Sequence, residues 1–296
     1  MTSAKPVTVS LVLGSGGARG LAHIGVIQWL TENGYTIRSI AGSSMGALVG
    51  GIYATGKLAT YAEWVMALER MEVLRLLDPD FGGAGLFKGE RVMGVLRDLI
   101  GDGEIEQLPV SFTAVAMDLE SGKEVWLRKG KLFDAIRASI AIPLLFTPFR
   151  YEGRTLVDGG LVNPVPIAPT LNDTTDLIVA VNVGGKPESR PAETPSERIP
   201  DGSVYRQRIQ AFIDSLRVPR NPADAMPGMI DVALRSMEAM ENTIARLKLA
   251  AYSPDVTIEI PRNACRIHEF WRAEEMIALG SERTAKAFAG NGFHPS

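Results

Sequence analysis

Short β-branched runs alternate with longer helical stretches in the first 60 residues. Residues 7–13 form a short apolar run that ends at glycines, which predicts a buried strand. Residues 19–33 carry apolar side chains on most faces and end at Gly34, which predicts a largely buried helix. Residues 36–41 predict a second strand and residues 45–55 a second helix. This order is typical of βαβ units and predicts a parallel sheet.

The rest of the chain continues the alternation of helices and strands. Helical patterns are predicted over 57–77, 92–100, 131–140, 205–216, 223–249 and 269–288. Strands are predicted over 110–117, 124–127, 155–157, 177–183 and 256–260. The predicted fold class is therefore α/β, a single three-layer domain with a mainly parallel central sheet and helices on both faces.

The composition changes after residue 183, where several prolines are interleaved with Glu and Ser. Residues 184–222 are therefore predicted to form a Pro-rich surface excursion. Residues 7–183 are predicted to form the core of the domain, and residues 223–296 a C-terminal helical part that completes the same domain. A domain of about 290 residues lies at the upper end of single-domain sizes.

Charge and composition exclude several classes of protein. Lys plus Arg total 31 and Asp plus Glu total 34, so the net charge of −3 offers no basic excess for nucleic acid. Cys265 is the single cysteine, which excludes an intrachain disulfide and a four-cysteine zinc site. With 46% hydrophobic and 22% charged residues, the chain has the composition of a globular protein.

Membrane and export segments are not predicted. The longest uncharged stretch, residues 39–56, is interrupted by repeated glycines, which favours a strand, a turn and a buried helix over a membrane span. The apolar run at 7–13 is short for a signal peptide, and no clear cleavage site follows it before Arg19. We therefore expect a cytoplasmic location.

One serine lies in a turn between a predicted strand and a predicted helix. Gly42, Ser44 and Gly46 occupy the fixed positions of the pattern G-x-S-x-G. A sharp turn with small neighbours would hold the Ser44 hydroxyl at the end of the strand, near the positive end of the helix. The pattern therefore predicts that Ser44 is a nucleophile, and a serine that only caps the helix is the alternative.

A glycine-rich loop at residues 14–20 also joins a strand to a helix. Its free N–H groups could bind a phosphate or the oxyanion of an acyl-transfer intermediate. The G-x-G-x-x-G fingerprint of dinucleotide-binding proteins would need a glycine at position 19, where this chain has Arg19. No G-K-[ST] sequence follows a glycine loop, which argues against a P-loop nucleotide site. Adjacent strand ends meet at one crevice, so the loop is expected beside Ser44, which favours the oxyanion role. A simple tight turn is the alternative.

The base that a serine nucleophile needs has few candidates, because the chain has only three histidines. His23 is predicted to be a buried helix residue, His268 follows a late strand, and His294 lies in a terminal tail. A carboxylate is the other option, and Asp158 stands at a strand end before two glycines. An aspartate that only stabilises a turn is the alternative.

Four sequence blocks in this order resemble the bacterial patatin-like phospholipases: residues 14–20, 42–46, 138–143 and 158–166. The similarity is strong over residues 8–183 and weaker in the methionine-rich helix and in residues 270–280. The resemblance implies a patatin-like fold, with residues 7–183 as its catalytic core. It also implies a Ser–Asp dyad hydrolase of fatty-acyl esters that uses no catalytic histidine, no metal and no cofactor.

The resemblance assigns roles residue by residue. Ser44 falls on the nucleophile of the family and Asp158 on its base. Gly16, Gly17 and the turn at Arg19 fall on the oxyanion loop. Ser15 is a departure, because many members have a third consecutive glycine there. Further positions support the motifs: Gly14, Ser15, Gly20, Gly42, Gly46, Gly159 and Gly160.

The predicted function is that of a lipid acyl hydrolase, similar to a phospholipase A or a lysophospholipase. An acyltransferase or small-ester esterase with the same site is one alternative, and a non-catalytic regulatory member of the family is another. The expected partner is a lipid or another fatty-acyl ester. Phe81, Leu86, Phe87 and the methionines of 226–240 are expected to pack in the core, and an acyl pocket or peripheral contact with the inner membrane surface is the alternative. Whether residues 78–88 or 186–221 form a lid is left open.

Overall fold

The computed structural model describes residues 6–80, 85–188 and 228–291. The predicted helix at 205–216, Phe81 and His294 lie outside the described residues. The chain divides into two compact units, one made of Met1–Pro187 with Met237–Ser296 and the other of Glu188–Ser236. The division into 7–183, 184–222 and 223–296 stays a prediction.

The described strands and helices follow each other as the alternating pattern predicts. The strands are β1 (Thr8–Leu13), β2 (Thr36–Ser43), β3 (Gly85–Phe87), β4 (Ser111–Asp118), β5 (Glu124–Leu127), β6 (Leu144–Phe146), β7 (Phe149–Tyr151), β8 (Arg154–Asp158), β9 (Leu177–Gly185) and β10 (Val256–Pro261). The α-helices are α1 (Ala22–Glu32), α2 (Met45–Ala54), α3 (Leu58–Met66), α4 (Arg70–Arg75), α5 (Glu90–Ile100), α6 (Leu132–Ser139), α7 (Met229–Tyr252) and α8 (Ala273–Asn291).

The sequence pattern does not predict three of the short strands. β3 and β6 are three residues each and pair with each other in parallel, and β7 pairs with β8. Strands this short show no period of their own, and their pairing depends on the chain's path in space. The helical pattern at 57–77 is also two helices rather than one, α3 and α4.

The main sheet has the order β10-β9-β1-β2-β4-β8-β7, and β5 pairs with β4 off this path. The five strands from β10 to β4 are parallel to one another, whereas β5, β7 and β8 join in antiparallel pairs. The predicted α/β class with a mainly parallel sheet is therefore confirmed.

Both faces of the sheet are covered, as the alternation of side chains along β1 shows. Leu11 and Leu13 belong to the large core, which also includes apolar residues of α1, α2, α6 and α8. Val12, between them, points to a smaller cluster that includes Ala180 of β9 and Ala245 of α7. The predicted arrangement of three layers is therefore confirmed.

Two other features of the helices bear on the predictions. In the ranges 6–80, 85–188 and 228–291, no helix is both long enough and apolar enough to cross a membrane. Met229 and Met240 of α7 are 86% and 57% exposed, and Leu86 of β3 is 45% exposed, so the prediction that these three residues pack in the core is wrong. An amphipathic helix that lies against one face of a sheet leaves its outer stripe in water.

The packing of α1 against α8 predicts a clear difference between two glycines. A Cβ on Gly25 would overlap the carbonyl oxygen of Ile277, whereas a Cβ on Gly94 in α5 meets nothing within 4 Å. We expect Gly25→Ala to lower the free energy of unfolding by roughly 1–3 kcal/mol, as overpacking does. The matched control Gly94→Ala should raise it by up to about 1 kcal/mol, because alanine is the better helix former.

Denaturant unfolding of the two variants measures the difference. A Gly25→Ala variant as stable as Gly94→Ala would contradict the close packing of α1 on α8.

Candidate active site

Ser44 lies in the sharp turn between β2 and α2 with φ 54° and ψ −122°. A positive φ is unfavourable for any residue with a Cβ, so this backbone is strained. The turn also requires glycine at its neighbours. A Cβ on Gly46 would overlap the carbonyl oxygen of Leu13, and a Cβ on Gly42 would overlap the backbone of Gly46. The spacing of the G-x-S-x-G motif therefore reflects two close backbone contacts.

Ser139, the last residue of α6, holds this turn in place. The Ser44 N–H donates to Ser139 Oγ at 2.9 Å, and Ser139 Oγ donates to the carbonyl oxygen of Val115 at 2.6 Å. Ser139 is fully buried. Sequence reasoning gave it no role, although it belongs to the block at 138–143, because its partners lie far away along the chain.

The register of β4 brings Ser44 and Asp158 together. Val115 lies opposite Ser43 of β2, and the next residue, Ala116, lies opposite Asp158 of β8. The N–H of Asp158 also donates to the carbonyl oxygen of Ala141 at 3.0 Å, just beyond α6. The structure thus places the two predicted residues side by side.

Asp158 is a buried carboxyl, with 2% of its surface exposed. Oδ1 accepts the N–H of Gly160 at 2.7 Å, whereas Oδ2 has no hydrogen-bond partner of good geometry among the described residues. Burial raises the pKa of Asp158 to about 7, against the opposing effects of the Ser44 side chain and the Gly160 N–H. The carboxyl can therefore hold or release a proton near neutral pH.

The glycine loop keeps two N–H groups free. The N–H of Ser15 donates to Pro164 at 2.8 Å and that of Ala18 to Ile267 at 2.9 Å. The N–H groups of Gly16 and Gly17 donate to no acceptor in the part of the chain that the structure describes. The loop can therefore bind an anionic oxygen with these two groups.

The loop also touches both halves of the site. A Cβ on Gly20 would overlap Met45, the residue that follows Ser44. A Cβ on Gly160, beside Asp158, would overlap the Ser15 hydroxyl. A Cβ on Gly159 would overlap the carbonyl oxygen of Val115. The three predicted segments thus meet at the carboxyl ends of their strands.

Arg19 holds the loop through its side chain. Nη1 donates to Glu238 Oε1 and to the carbonyl oxygen of Arg262, each at 2.6 Å, and Nε donates to Gly16 at 3.2 Å. The guanidinium is therefore occupied by protein acceptors. The assignment of Arg19 to the oxyanion loop stays a prediction.

No hydrogen bond joins a described histidine to the Ser44 hydroxyl. His23 is fully buried, and its Nε2 lies 2.8 Å from the carbonyl oxygen of Gly14. A carbonyl only accepts, so Nε2 carries the proton. Burial lowers the pKa of His23 to about 4, and the ring is neutral at neutral pH. His268 is exposed and packs against Trp271.

One further acidic residue of the site escaped sequence reasoning. Glu241 of α7 accepts a hydrogen bond from Ser15 Oγ at 3.2 Å. Its position in a half-exposed helix carries no local signal of a site. Among residues 6–80, 85–188 and 228–291, no group of three His, Cys, Asp or Glu side chains is arranged to hold a metal ion.

The fold and the site define an α/β protein with a strained serine turn beside a buried aspartate. The family model of the patatin-like phospholipases matches residues 11–171. An uncharacterized NTE family protein of Mycobacterium tuberculosis is 40% identical, over 94% of this chain and 91% of its own length. The chain therefore belongs to the patatin-like phospholipase family, and this membership supports a lipid hydrolase activity in general.

More distant proteins share part of this similarity. Patatin-like phospholipase domain-containing protein 6 of Mus musculus is 26% identical over 72% of this chain, which matches 16% of that protein. The crystal structure of VipD from Legionella pneumophila aligns with a TM-score of 0.48 and 14% identity, over 98% of this chain and 68% of that one.

Ser139 and Ser43 offer a matched test of how the turn is held. Both hydroxyls are buried, but Ser43 Oγ has no hydrogen-bond partner among the described residues. We expect Ser139→Ala to lower the free energy of unfolding by about 1–3 kcal/mol, because it leaves a buried N–H and a buried carbonyl without their partner. Ser43→Ala should be neutral or slightly stabilising.

Thermal and denaturant unfolding of both variants measure this difference. Equal stabilities of Ser139→Ala and Ser43→Ala would contradict the role of Ser139.

Proposed function

We propose that this protein is a lipid acyl hydrolase of the phospholipase A or lysophospholipase type, with Ser44 as nucleophile and Asp158 as base. One observation carries the proposal: a buried serine on a strained turn lies beside a buried aspartate whose pKa is raised to about 7 by burial. A raised pKa makes a carboxylate a stronger base at neutral pH.

In the proposed reaction, Asp158 accepts the hydroxyl proton as Ser44 Oγ attacks the ester carbonyl carbon. The tetrahedral intermediate collapses, Asp158 gives its proton to the leaving alcohol, and the acyl group stays bonded to Ser44 Oγ. Water then attacks this acyl-enzyme and gives a proton to Asp158. The second tetrahedral intermediate collapses, Asp158 returns the proton to Ser44 Oγ, and the fatty acid is released. The state of the histidines supports a carboxylate base, because His23 is neutral and bound to Gly14, and His268 is exposed.

The oxyanion of this intermediate would bind to the N–H groups of Gly16 and Gly17. Their lack of a protein acceptor supports this role, because such donors act best when they are fixed and unoccupied before the reaction. Arg19 and His23 support the role indirectly, since their side chains bind the carbonyl oxygens of Gly16 and Gly14 and fix the loop.

An apolar surface beside the site supports a fatty-acyl substrate. The strand β6 begins three residues after Ala141, which contacts Asp158, and it pairs with β3. Leu144 of β6 is 38% exposed, and the rings of Phe87 and Phe146 in the same two strands contact each other. We propose that an acyl chain, or the surface of a lipid aggregate, contacts these side chains.

Replacement of the two proposed catalytic residues gives the first test of function. We expect Ser44→Ala and Asp158→Asn each to abolish hydrolysis of a short p-nitrophenyl acyl ester, because one removes the nucleophile and the other the base. His268→Ala is the matched control and should keep the wild-type rate. An Asp158→Asn variant with a near-wild-type rate, together with an inactive His268→Ala variant, would show that the base is a histidine.

The pH dependence of the rate gives the second test. Asp158 must be deprotonated to accept the serine proton, so kcat/KM should fall as the pH drops through about 7. The fraction of free base falls about tenfold per pH unit below the pKa, so the rate at pH 5 should be roughly 100-fold below the rate at pH 8. A rate that stays constant between these pH values would contradict Asp158 as the base.

A further inference from the structure

A second carboxyl lies next to the glycine loop. Glu241 of α7 accepts a hydrogen bond from Ser15 Oγ at 3.2 Å. A Cβ on Gly160 would overlap the same hydroxyl, so Ser15 packs directly against the backbone of Gly160. The N–H of Gly160 in turn donates to Asp158 Oδ1 at 2.7 Å. Ser15 and Gly160 therefore form a short link between the carboxyls of Glu241 and Asp158.

The charges around Glu241 come from three residues of the described chain. Asp158 on β8 and Glu238 on the same helix are acidic, and Arg19 is basic. Arg19 also binds Glu238 and two carbonyl oxygens, so its charge is shared among several acceptors. Burial, with the charge of Asp158 next, raises the pKa of Glu241 to about 8, while the Ser15 hydroxyl and Arg19 favour the charged form.

Two carboxyls in one partly buried site resist a double negative charge. On these contacts, and resting on the proposed function, we propose that Glu241 is a positioning residue that shares one proton with Asp158. The loss of this proton sets the alkaline limit of the reaction. Ser15 is the residue that couples Glu241 to the loop.

A shared proton would limit the activity of the site to a defined pH range. Because two adjacent negative charges repel each other, the pair carries one negative charge near neutral pH, and we assign this charge to Asp158, the carboxyl beside Ser44. At higher pH, Glu241 ionises too and adds a second negative charge next to the loop of Gly16 and Gly17. A negative charge there opposes the developing oxyanion, so the rate falls.

The first experiment is the pH–rate profile of p-nitrophenyl ester hydrolysis by the full chain between pH 5 and 10, with the Ser44→Ala rate subtracted. The wild-type profile should be bell-shaped. Glu241→Gln should keep the acid limb and lose the alkaline limb, so its rate at pH 9 should exceed that of the wild type by roughly tenfold. Ser15→Ala should move the alkaline limb to higher pH, because it removes a hydrogen bond that favours ionised Glu241.

The matched control is Glu259→Gln, which changes an exposed glutamate on β10 and should reproduce the wild-type profile. Two outcomes would overturn the role of Glu241: a wild-type profile without an alkaline limb, or an alkaline limb in Glu241→Gln equal to that of the wild type. Neither outcome would contradict the proposed hydrolase activity. A wild-type chain that hydrolyses no ester at any pH would instead overturn the proposed function.

The second experiment does not depend on catalysis. A carboxyl whose pKa is raised in the folded state stabilises the fold at low pH, and this contribution is lost as the pH rises through the folded-state pKa. The melting temperature of the wild type should therefore fall more between pH 5 and pH 9 than that of Glu241→Gln. Glu259→Gln should behave as the wild type does. An equal fall of the melting temperature in all three proteins would overturn the proposal that Glu241 shares a proton with Asp158.

Discussion

The hydrogen bond from the Ser44 N–H to Ser139 Oγ holds the one strained residue on which the site depends. Ser139 is fixed in turn by the carbonyl oxygen of Val115, and Val115 pairs with Ser43. The next residue of β4 pairs with Asp158. A single stretch of β4 thus positions the turn, its support and the aspartate, and a shift of this strand by one residue would separate them.

Burial also determines the acid–base properties of Asp158. An aspartate in water is a weak base, but the fold encloses Asp158 and leaves its Oδ2 without a hydrogen-bond partner of good geometry among the described residues. In our proposal this burial replaces the histidine that serine hydrolases commonly use. In the same proposal, burial lets a neighbouring carboxyl, that of Glu241, influence the site, because charges interact more strongly where water is excluded.

Sequence reasoning succeeded where the signal is local. The parallel sheet follows from the order of apolar runs. Ser44 and Asp158 are predicted from motifs at strand ends, and their catalytic roles stay a proposal. It failed for β3 and β6, whose pairing depends on the path of the chain, and for the exposed Met240. It also gave no role to Ser139 and Glu241, because their partners are 24 to 226 positions away along the chain. No periodicity or motif encodes such contacts.

The central claim is that Ser44 is a nucleophile activated by Asp158, and covalent labelling tests it most directly. The wild-type chain is treated with a fluorophosphonate at neutral pH and digested, and the peptides are weighed by mass spectrometry. The account predicts one adduct, on Ser44, that forms quickly in the wild type and far more slowly in Asp158→Asn. An intact Ser44 that takes up no label, or equal labelling rates in the two proteins, would contradict it.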